Sequence, residues 1–552
     1  MLARLLAACL LAAAVSPALA DDSAMSHAGA PSTAKAPMFD LGRLHHAITT
    51  TSPEAQRYFD QGLVLCYGFN HVQAIAAFTE AAKLDPNCAM AYWGTAVALG
   101  PNINLPMDST ATKPAWEALQ KALTLAPRAS EAERAYILAL SKRYADPADP
   151  HPPARAAMDS AYANAMRDLA KRYPNDADAG TLFAESMMDL NPWNHWSNDG
   201  VAAPGTDEIV ATLEGVLKQF PNHPGANHFY IHALEASPHP ERAVPAAERL
   251  GALVPDAGHL VHMPAHIWNR VGRYNEAEAV NVKAARVDSL YIEANHPEGM
   301  YPLMYYPHNV HFIWSAACYA GRSSDAMATA RRLVGMVPPE VITQMPVIEF
   351  ICPSPVYTMI RFGHWNELIA EPAPLKEWRF TTGMWHFGRG LAFNALGKAA
   401  EAKQELDSVQ TMAAATPPEA MVSFNSSAAL LRLAGHALAG EMQAREGHID
   451  AAVDHFNQAI REEDALHYDE PPPWFMPVRQ ELGAVLLAAG RVKDAEAAYR
   501  EDLRRVPDNG WSLYGLARCL RARKATAEAA ATEKRLAAAW SRADVKLTAS
   551  RY

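Results

Sequence analysis

The chain has 552 residues, of which half are apolar and a fifth are charged, so it contains enough material for an extensive core. A chain of this length forms either several domains or one long array of repeats. Its formal net charge of −11 and the lack of a dense basic tract argue against a nucleic-acid-binding surface.

The first twenty residues have the features of a secretory signal peptide. Arg4 provides the positive charge, Leu5–Val15 form the apolar stretch, and an Ala-Leu-Ala cleavage motif ends at Ala20. We therefore predict export, cleavage after Ala20, and a location in the periplasm or outside the cell. No later apolar run is long enough to cross a bilayer, so no integral membrane segment is expected after cleavage.

The cysteines do not indicate a disulfide-stabilised fold. Of the six cysteines, Cys9 falls within the predicted signal, and the other five are scattered without CxxC spacing. An exported chain of this size with so few cysteines is not a disulfide scaffold, although one bridge remains open.

A helical pattern begins near Glu54, after residues 21–50, which we predict to form a flexible lead-in. Small residues, a phenylalanine and a proline then recur at the spacing of the tetratricopeptide repeat consensus, at Gly62, Ala74, Phe78, Ala81 and Pro86. The small residues allow two antiparallel helices to touch, Phe78 fills the seam between them, and Pro86 ends the second helix.

The chain resembles the tetratricopeptide repeat family over nearly all of the predicted mature protein. Similar hairpins, about a dozen, can be read from near residue 54 to near residue 541. One such hairpin cannot bury its own apolar face, so neighbouring hairpins must stack. The predicted fold is therefore all-α, a right-handed superhelical solenoid of tetratricopeptide-like helical hairpins. This architecture alone implies only a binding surface, because such repeats host many functions.

The repeat pattern divides the predicted mature chain into three parts. We predict N-terminal helical repeats over 51–222 with a Trp-rich insertion, His-rich central repeats over 223–338, and C-terminal helical repeats over 339–552. The insertion at 191–204 and a second irregular stretch at 295–306 interrupt the period. Irregular loops beside a regular groove are where binding residues tend to lie. The sequence leaves open whether Trp193 and Trp196 cover the groove or simply pack between helices.

Seven histidines of the central repeats follow the period of the repeat. Two pairs four residues apart are themselves separated by 34 residues, the length of one tetratricopeptide hairpin. With repeat units beginning at residues 224, 258 and 307, the seven occupy positions 2, 5 and 9, which share one helix face. In the tetratricopeptide family these positions line the concave groove, so the resemblance implies that all seven face one cavity. They are His228, His232, His259, His262, His266, His308 and His311.

This arrangement predicts a metal site. First helices of adjacent repeats lie roughly 8–10 Å apart, so imidazoles at the same level can approach one another. Neutral imidazoles bind zinc, copper, iron and nickel, and seven of them exceed the needs of one tetrahedral ion, so the set has enough ligands for a two-metal site. Predicted export and the nearby Met263, Met300 and Met304 favour copper over zinc or iron. Glu235, three residues after His232, is the candidate catalytic residue, as a proton acceptor or an additional ligand.

Two classes of function remain open from the sequence. The first is a metal-dependent oxidoreductase or hydrolase acting on a peptide or small-molecule ligand in the concave groove. In that case five of the histidines would be ligands, and His259 and His308 would support them or bind as well. The second is a non-catalytic scaffold that binds a peptide or protein along the groove, with the histidines forming a polar, metal-free surface.

Overall fold

The computed structural model describes residues 39–297 and 299–552. The predicted signal peptide and residues 21–38 of the predicted lead-in lie outside the described residues. Within the described part, 26 α-helices follow one another, and the strands β1 (Met421–Val422) and β2 (Asn425–Ser426) form a short antiparallel hairpin. The all-α solenoid predicted from the sequence is confirmed.

The helices that precede the central repeats are α1 (Pro53–Tyr67), α2 (His71–Leu84), α3 (Ala89–Ala98), α4 (Thr112–Leu125), α5 (Glu131–Leu140), α6 (Arg155–Arg172), α7 (Ala177–Met188) and α8 (Thr206–Gln219). Those of the central repeats are α9 (Pro224–Glu235), α10 (Val244–Leu253), α11 (Gly258–His262), α12 (Pro264–Arg270), α13 (Tyr274–Asn295), α14 (Tyr306–Tyr319) and α15 (Ser323–Val334).

The helices that follow are α16 (Pro339–Gln344), α17 (Ser354–Phe362), α18 (Trp365–Ala370), α19 (Arg379–Ala395), α20 (Ala399–Ala415), α21 (Ser427–Arg445), α22 (Ile449–Asp464), α23 (Val478–Ala488), α24 (Val492–Arg505), α25 (Gly510–Ala522) and α26 (Thr526–Ala539). In addition, Tyr301–Tyr305 form a single π-helical turn directly before α14.

The hairpin of α1 and α2 shows why small residues recur in the sequence. A side chain added at Gly62 in α1 or at Gly94 in α3 would lie only 2.5–2.6 Å from the ring of Phe78 in α2. Both neighbouring helices therefore contact the phenylalanine through their backbones, as predicted from the repeat consensus. Helix α2 ends at Leu84, two residues before Pro86.

The buried side chains form two large apolar clusters. The first runs from Leu41 to Ala316 and the second from Trp314 to Leu547. The boundary between the two apolar clusters therefore lies within α14. This helix belongs to the central repeats, which the sequence pattern treats as one group. All five cysteines of the described residues are buried free thiols. The described part of the chain has no helix that is both long and apolar enough to cross a membrane.

The described end of the predicted flexible lead-in is in fact packed against the solenoid. The backbone N–H of Asp40 donates to the Asp256 carboxylate at 2.7 Å, and that of Thr49 donates to Glu133 at 2.6 Å. Residues 39–50 of the predicted flexible lead-in therefore make specific hydrogen bonds to the rest of the fold. The partners of this segment are the carboxylates of Asp256, in the loop after α10, and Glu133, in α5. Composition alone does not reveal partners so far away in the sequence.

The Trp-rich insertion joins the two halves of the solenoid. The side-chain amide of Asn198 donates to the carbonyl oxygens of Asp464 and Leu466, both at 2.9 Å. The Oδ1 atom of Asn194 lies 2.9 Å from Nε2 of His467. These contacts hold the loop after α22 beside the central repeats and bring residues near 470 to the histidine-bearing helices.

Candidate metal centre

The histidines are carried by three helical segments of the central repeats. Every residue of α9 is buried, so its polar side chains must find partners inside the protein. Helices α11 and α12 continue one another, because Met263 between them keeps helical dihedral angles of φ −51° and ψ −35°. His262 and His266 therefore keep the four-residue spacing that places them on one face. Helix α14 carries His308 and His311.

The structure groups six of the seven histidines into two sets of three. The first trio is His228, His232 and His259, and the second trio is His262, His266 and His308. In each set, one nitrogen from every imidazole lies within 4.8 Å of one nitrogen from each of the others. Two nitrogens bound to one tetrahedral ion lie roughly 3.3 Å apart. Small side-chain movements would therefore bring each trio around one ion.

The two trios are built by the same rule. Each combines the histidines at positions 5 and 9 of one repeat with the histidine at position 2 of the next repeat. Their ring-centroid distances agree closely, at 4.7, 4.9 and 6.2 Å in the first trio and 4.7, 4.8 and 5.8 Å in the second. The trios also touch each other, with the rings of His232 and His266 5.8 Å apart.

His311 belongs to neither trio. It occupies position 5 of the third repeat, where a third set would begin, but position 9 of that repeat is Ser315. The His311 ring instead stacks on Trp314 at 5.2 Å and contacts Phe350 at 5.5 Å. The prediction that His311 is a metal ligand therefore has no support from the geometry.

Hydrogen bonds on the far side of the rings determine which nitrogens face inward in the first trio. Nδ1–H of His228 donates to the carbonyl oxygen of Tyr67 at 2.6 Å, and Nδ1–H of His232 donates to Glu235 at 2.7 Å. Both Nε2 atoms are consequently unprotonated. These Nε2 atoms and both nitrogens of His259 are buried and have no hydrogen-bond partner among the described residues.

The second trio is oriented in a similar way. The side-chain amide of Asn281 donates to the carbonyl oxygen of Ala277, which turns its Oδ1 toward Nδ1 of His262 at 2.6 Å. His262 therefore presents an unprotonated Nε2, and this atom lies 2.7 Å from Nε2 of His266. Two imidazole nitrogens this close require either a proton or a cation between them.

Glu235 connects the two trios. One carboxylate oxygen accepts from Nδ1 of His232, and the other lies 2.5 Å from Nδ1 of His266. A second carboxylate, that of Glu470, lies 2.9 Å from the same His266 nitrogen. Glu235 is only 1% exposed, and it faces the nitrogens that point away from the centre of each trio. Its position is that of a group that orients ligands, as carboxylates do behind metal-bound histidines.

The electrostatics of the site favour neutral imidazoles. Burial lowers the pKa of five of the six trio histidines, and the neighbouring histidines lower it further, most of all for His228, His259, His262 and His308. His266 is the exception. Burial opposes its charge, but Glu235 and Glu470 raise its pKa to about 10. A neutral imidazole is the form that binds metals.

Aromatic rings cover both trios. Phe69 lies 4.8–5.9 Å from the rings of the first trio, and Phe312 lies 4.7–4.9 Å from those of the second. Trp193 meets His232 edge-on at 5.5 Å, so it covers the site, whereas Trp196 donates its indole N–H to the backbone of α9. Phe69 and Trp193 have positive φ angles of 56° and 62°, which is uncommon for such bulky residues.

Several residues of this site were not recognised from the sequence. Glu470 reaches His266 from a loop about two hundred residues away, and Asn281 reaches His262 from the second helix of the same repeat. The backbone carbonyl of Tyr67 has no sequence signature at all. Only Phe312 carries a signal, because it directly follows His311 in a histidine-rich segment.

A third group of potential ligands, His46, Asp176 and Asp178, lines a surface cavity of about 790 Å³. Its carboxylates already have protein partners. Asp178 accepts from Tyr67, His223 and His46 at 2.5, 3.0 and 2.7 Å, and Asp176 caps the N-terminus of α7. This group is therefore a structural hydrogen-bond network, in contrast to the first trio with its unpaired nitrogens.

Comparisons with known proteins add little to this description. No protein-family model and no curated protein matches the chain. Similar solved structures include human IFIT1 as a dimer with m7Gppp-AAAA, 12% identical with a TM-score of 0.31, covering 89% of this chain and 90% of that one. Yeast Tom70 is 11% identical with a TM-score of 0.29, covering 88% of this chain and 91% of that one. Identities and TM-scores this low give no information about function.

Proposed function

We propose that the two trios bind two metal ions and that the chain is a metal-dependent oxidoreductase with copper in this site. The observation that carries the proposal is the first trio, where the buried Nε2 atoms of His228 and His232 and both nitrogens of His259 have no hydrogen-bond partner among the described residues. The second trio repeats its arrangement. Leaving such a group unpaired costs about 1–3 kcal/mol. A bound ion would remove that cost for every ligand nitrogen.

The donor set favours copper. All six proposed ligands are imidazoles, and no carboxylate or thiol enters either trio. Imidazole suits copper, zinc, iron and nickel, and copper(II) binds most tightly among the divalent ions of this series. The predicted export to the periplasm or cell exterior, which is part of this proposal, is compatible with such a site. Zinc in the same trios would indicate hydrolysis, so the identity of the metal separates the two reaction classes.

The chain's own residues would hold and shield the ions. Glu235 and Asn281 fix the tautomers of three ligands, and the Tyr67 carbonyl fixes a fourth. Phe69, Phe312 and the other covering rings exclude bulk water. A ligand that reacts here must be small or must insert one narrow group, because all trio histidines except His308 are fully buried.

The first experiment is metal analysis by plasma mass spectrometry. The protein is exported and purified without chelator and without a His tag, beside a His232→Ala/His266→Ala variant that removes one ligand from each trio. We expect two equivalents of copper in the wild type and a loss of both in the variant. A His311→Phe variant is the matched control, because His311 is equally buried and lies in the same repeats but outside the trios.

Circular dichroism must show that the variants remain folded. Protein that contains no metal and takes up none on reconstitution would overturn the proposal. Equal loss of metal in the His311→Phe control would also contradict it, because the trios would then not be the binding sites.

A second candidate function is a scaffold that binds an extended peptide. Residues 545–552 lie across the first helices of the C-terminal hairpins in this way. The side-chain amide of Gln480 in α23 donates to the backbone carbonyl of Ser550 at 2.8 Å, and Arg551 pairs with Glu441 in α21. This surface therefore accepts an extended chain. Peptide binding without stoichiometric metal would favour the scaffold.

A further inference from the structure

Three tyrosines lead away from the first trio in continuous ring contact. The ring of Tyr305 meets that of His259 edge-on at 5.0 Å. Tyr305 and Tyr301 are 5.6 Å apart, and Tyr301 and Tyr291 are 4.9 Å apart, measured between ring centroids. Every step of this chain is a van der Waals contact, over which an electron can pass rapidly.

The local backbone is arranged to make these contacts. Tyr301 and Tyr305 are the two ends of the π-helical turn that precedes α14. Such turns are rare, and they occur frequently at functional sites because they redirect side chains that a regular helix would space differently. Here the turn points Tyr305 at His259 and Tyr301 at Tyr291.

A buried carboxylate accepts a hydrogen bond from the middle tyrosine. The hydroxyl of Tyr301 donates to Oδ1 of Asp288 at 2.7 Å, and the side chain of Asn309 donates to Oδ2 at 2.6 Å. Asp288 is fully buried, and in the described part of the chain it has no ion pair. Burial raises the pKa of Asp288 to about 7, so this carboxylate is a better proton acceptor than an exposed aspartate. Oxidation of a tyrosine releases a proton as well as an electron, and Tyr301 has an acceptor for it in place.

We propose that Tyr305, Tyr301 and Tyr291 form a redox chain that supplies electrons to the proposed two-copper site when it reduces dioxygen. This inference rests on the proposed function. Full reduction of dioxygen to two molecules of water takes four electrons and four protons. Two copper(I) ions supply two electrons, and Tyr305 and Tyr301 supply one electron each. The phenolic proton of Tyr305 goes to oxygen and that of Tyr301 passes to Asp288, so the other three protons that oxygen takes up come from solvent.

Tyr291 is then the outer end of the chain. Its ring contacts that of Phe39 at 6.1 Å, and Tyr291 is the tyrosine of the three that is farthest along the ring contacts from His259. A one-electron donor that reaches Tyr291 would have to deliver four electrons, two for the oxidised tyrosines and two for the copper(II) ions, to return the site to its starting state. The tyrosines thus allow a two-ion site to complete a four-electron reaction without releasing partly reduced oxygen.

Freeze-quench electron paramagnetic resonance tests this inference. Copper-loaded protein is reduced, freed of excess reductant under nitrogen, mixed with dioxygen and frozen after a series of delays. We expect an organic-radical signal whose splitting changes when the protein is made with ring-deuterated tyrosine. The signal should be lost in Tyr305→Phe and should decay differently in Tyr301→Phe, which lacks the hydroxyl bonded to Asp288.

Tyr306→Phe is the matched control. It is the next residue after the π-helical turn, but its hydroxyl accepts from Arg332 and its ring lies outside the chain. It should retain the wild-type signal. Protein that binds two copper ions and consumes dioxygen but forms no tyrosine radical would overturn the redox chain and leave the proposed function standing. Protein that binds no copper would overturn both.

Discussion

In a Glu235→Gln variant, one carboxylate oxygen becomes an amide NH2 group while the size of the side chain is kept. The native carboxylate has one oxygen 2.7 Å from Nδ1 of His232 and the other 2.5 Å from Nδ1 of His266. Glutamine can accept a hydrogen bond from only one of these histidines, because its amide group is itself a donor. The other imidazole must turn or change tautomer, and its trio then loses a correctly directed Nε2.

The expected loss of copper affinity follows from the position of Glu235 behind the histidine ligands. Loss of such an orienting partner typically weakens metal binding roughly 10–100-fold, or about 1.4–2.7 kcal/mol. Glu235 is 1% exposed, so water cannot easily replace the lost acceptor. We expect one dissociation constant for copper to rise by this factor and the second to rise less, because the glutamine still serves one trio.

Calorimetric titration of metal-free protein with copper, in competition with a chelator, measures both constants. An Asn281→Leu variant is the matched comparison, because His262 is the only trio histidine to which Asn281 is hydrogen-bonded, and its loss should weaken the second trio alone. Circular dichroism must show native helicity in both variants. If both copper constants of folded Glu235→Gln stay within about threefold of wild type, well below the usual effect, the orienting role is refuted.

Three other predictions concern the surroundings of the site. In Gly258→Ala the new methyl group would lie 1.7 Å from an oxygen of Asp288, so we expect about 1–3 kcal/mol of destabilisation in urea unfolding. The Asp178 carboxylate outweighs burial and raises the pKa of His46 from 6.5 to about 8, so this contribution to stability is complete below pH 6.5 and is lost as the pH rises through about 8. This contribution of His46 amounts to about 2 kcal/mol, so the free energy of unfolding should depend on pH differently in wild type and in His46→Gln. Equal pH profiles of the two proteins would contradict the prediction. Copper should quench tryptophan fluorescence, and Trp193→Phe should lose the largest share of this quenching, because the Trp193 ring lies 5.5 Å from that of His232.

Local sequence patterns were sufficient to predict the helical hairpins and the face on which the histidines lie. Small residues beside Phe78, a proline after α2 and a 34-residue period all reflect contacts within one repeat or with its neighbour. Such contacts are short in sequence, so they leave a regular signal. The positions of six histidines on the inner helices follow from the same regularity, and so does the proximity of Glu235 to His232.

The tertiary structure decided how those residues are combined. The spacing of His228 and His232 in the sequence defines a pair. Their third partner, His259, comes from the next repeat, and the packing of the two repeats brings it to them. The packing of the helices also leaves His311 outside both trios, against Trp314 and Phe350. Its repeat has Ser315 at the position where a second histidine would be needed. Glu470 and the packed residues 39–50 depend on contacts between segments far apart in the chain.

The sequence by itself therefore determined an all-α repeat protein with a histidine-lined inner face. It did not determine that the histidines form two matching trios, which nitrogen of each ring points inward, or which groups stand behind them. The physical reason is that periodicity specifies direction from a helix axis, whereas a metal site requires atoms of several helices to converge within a few ångströms. That convergence depends on the packing distances, the turn before α14 and the loop that carries Glu470, none of which leaves a periodic signal.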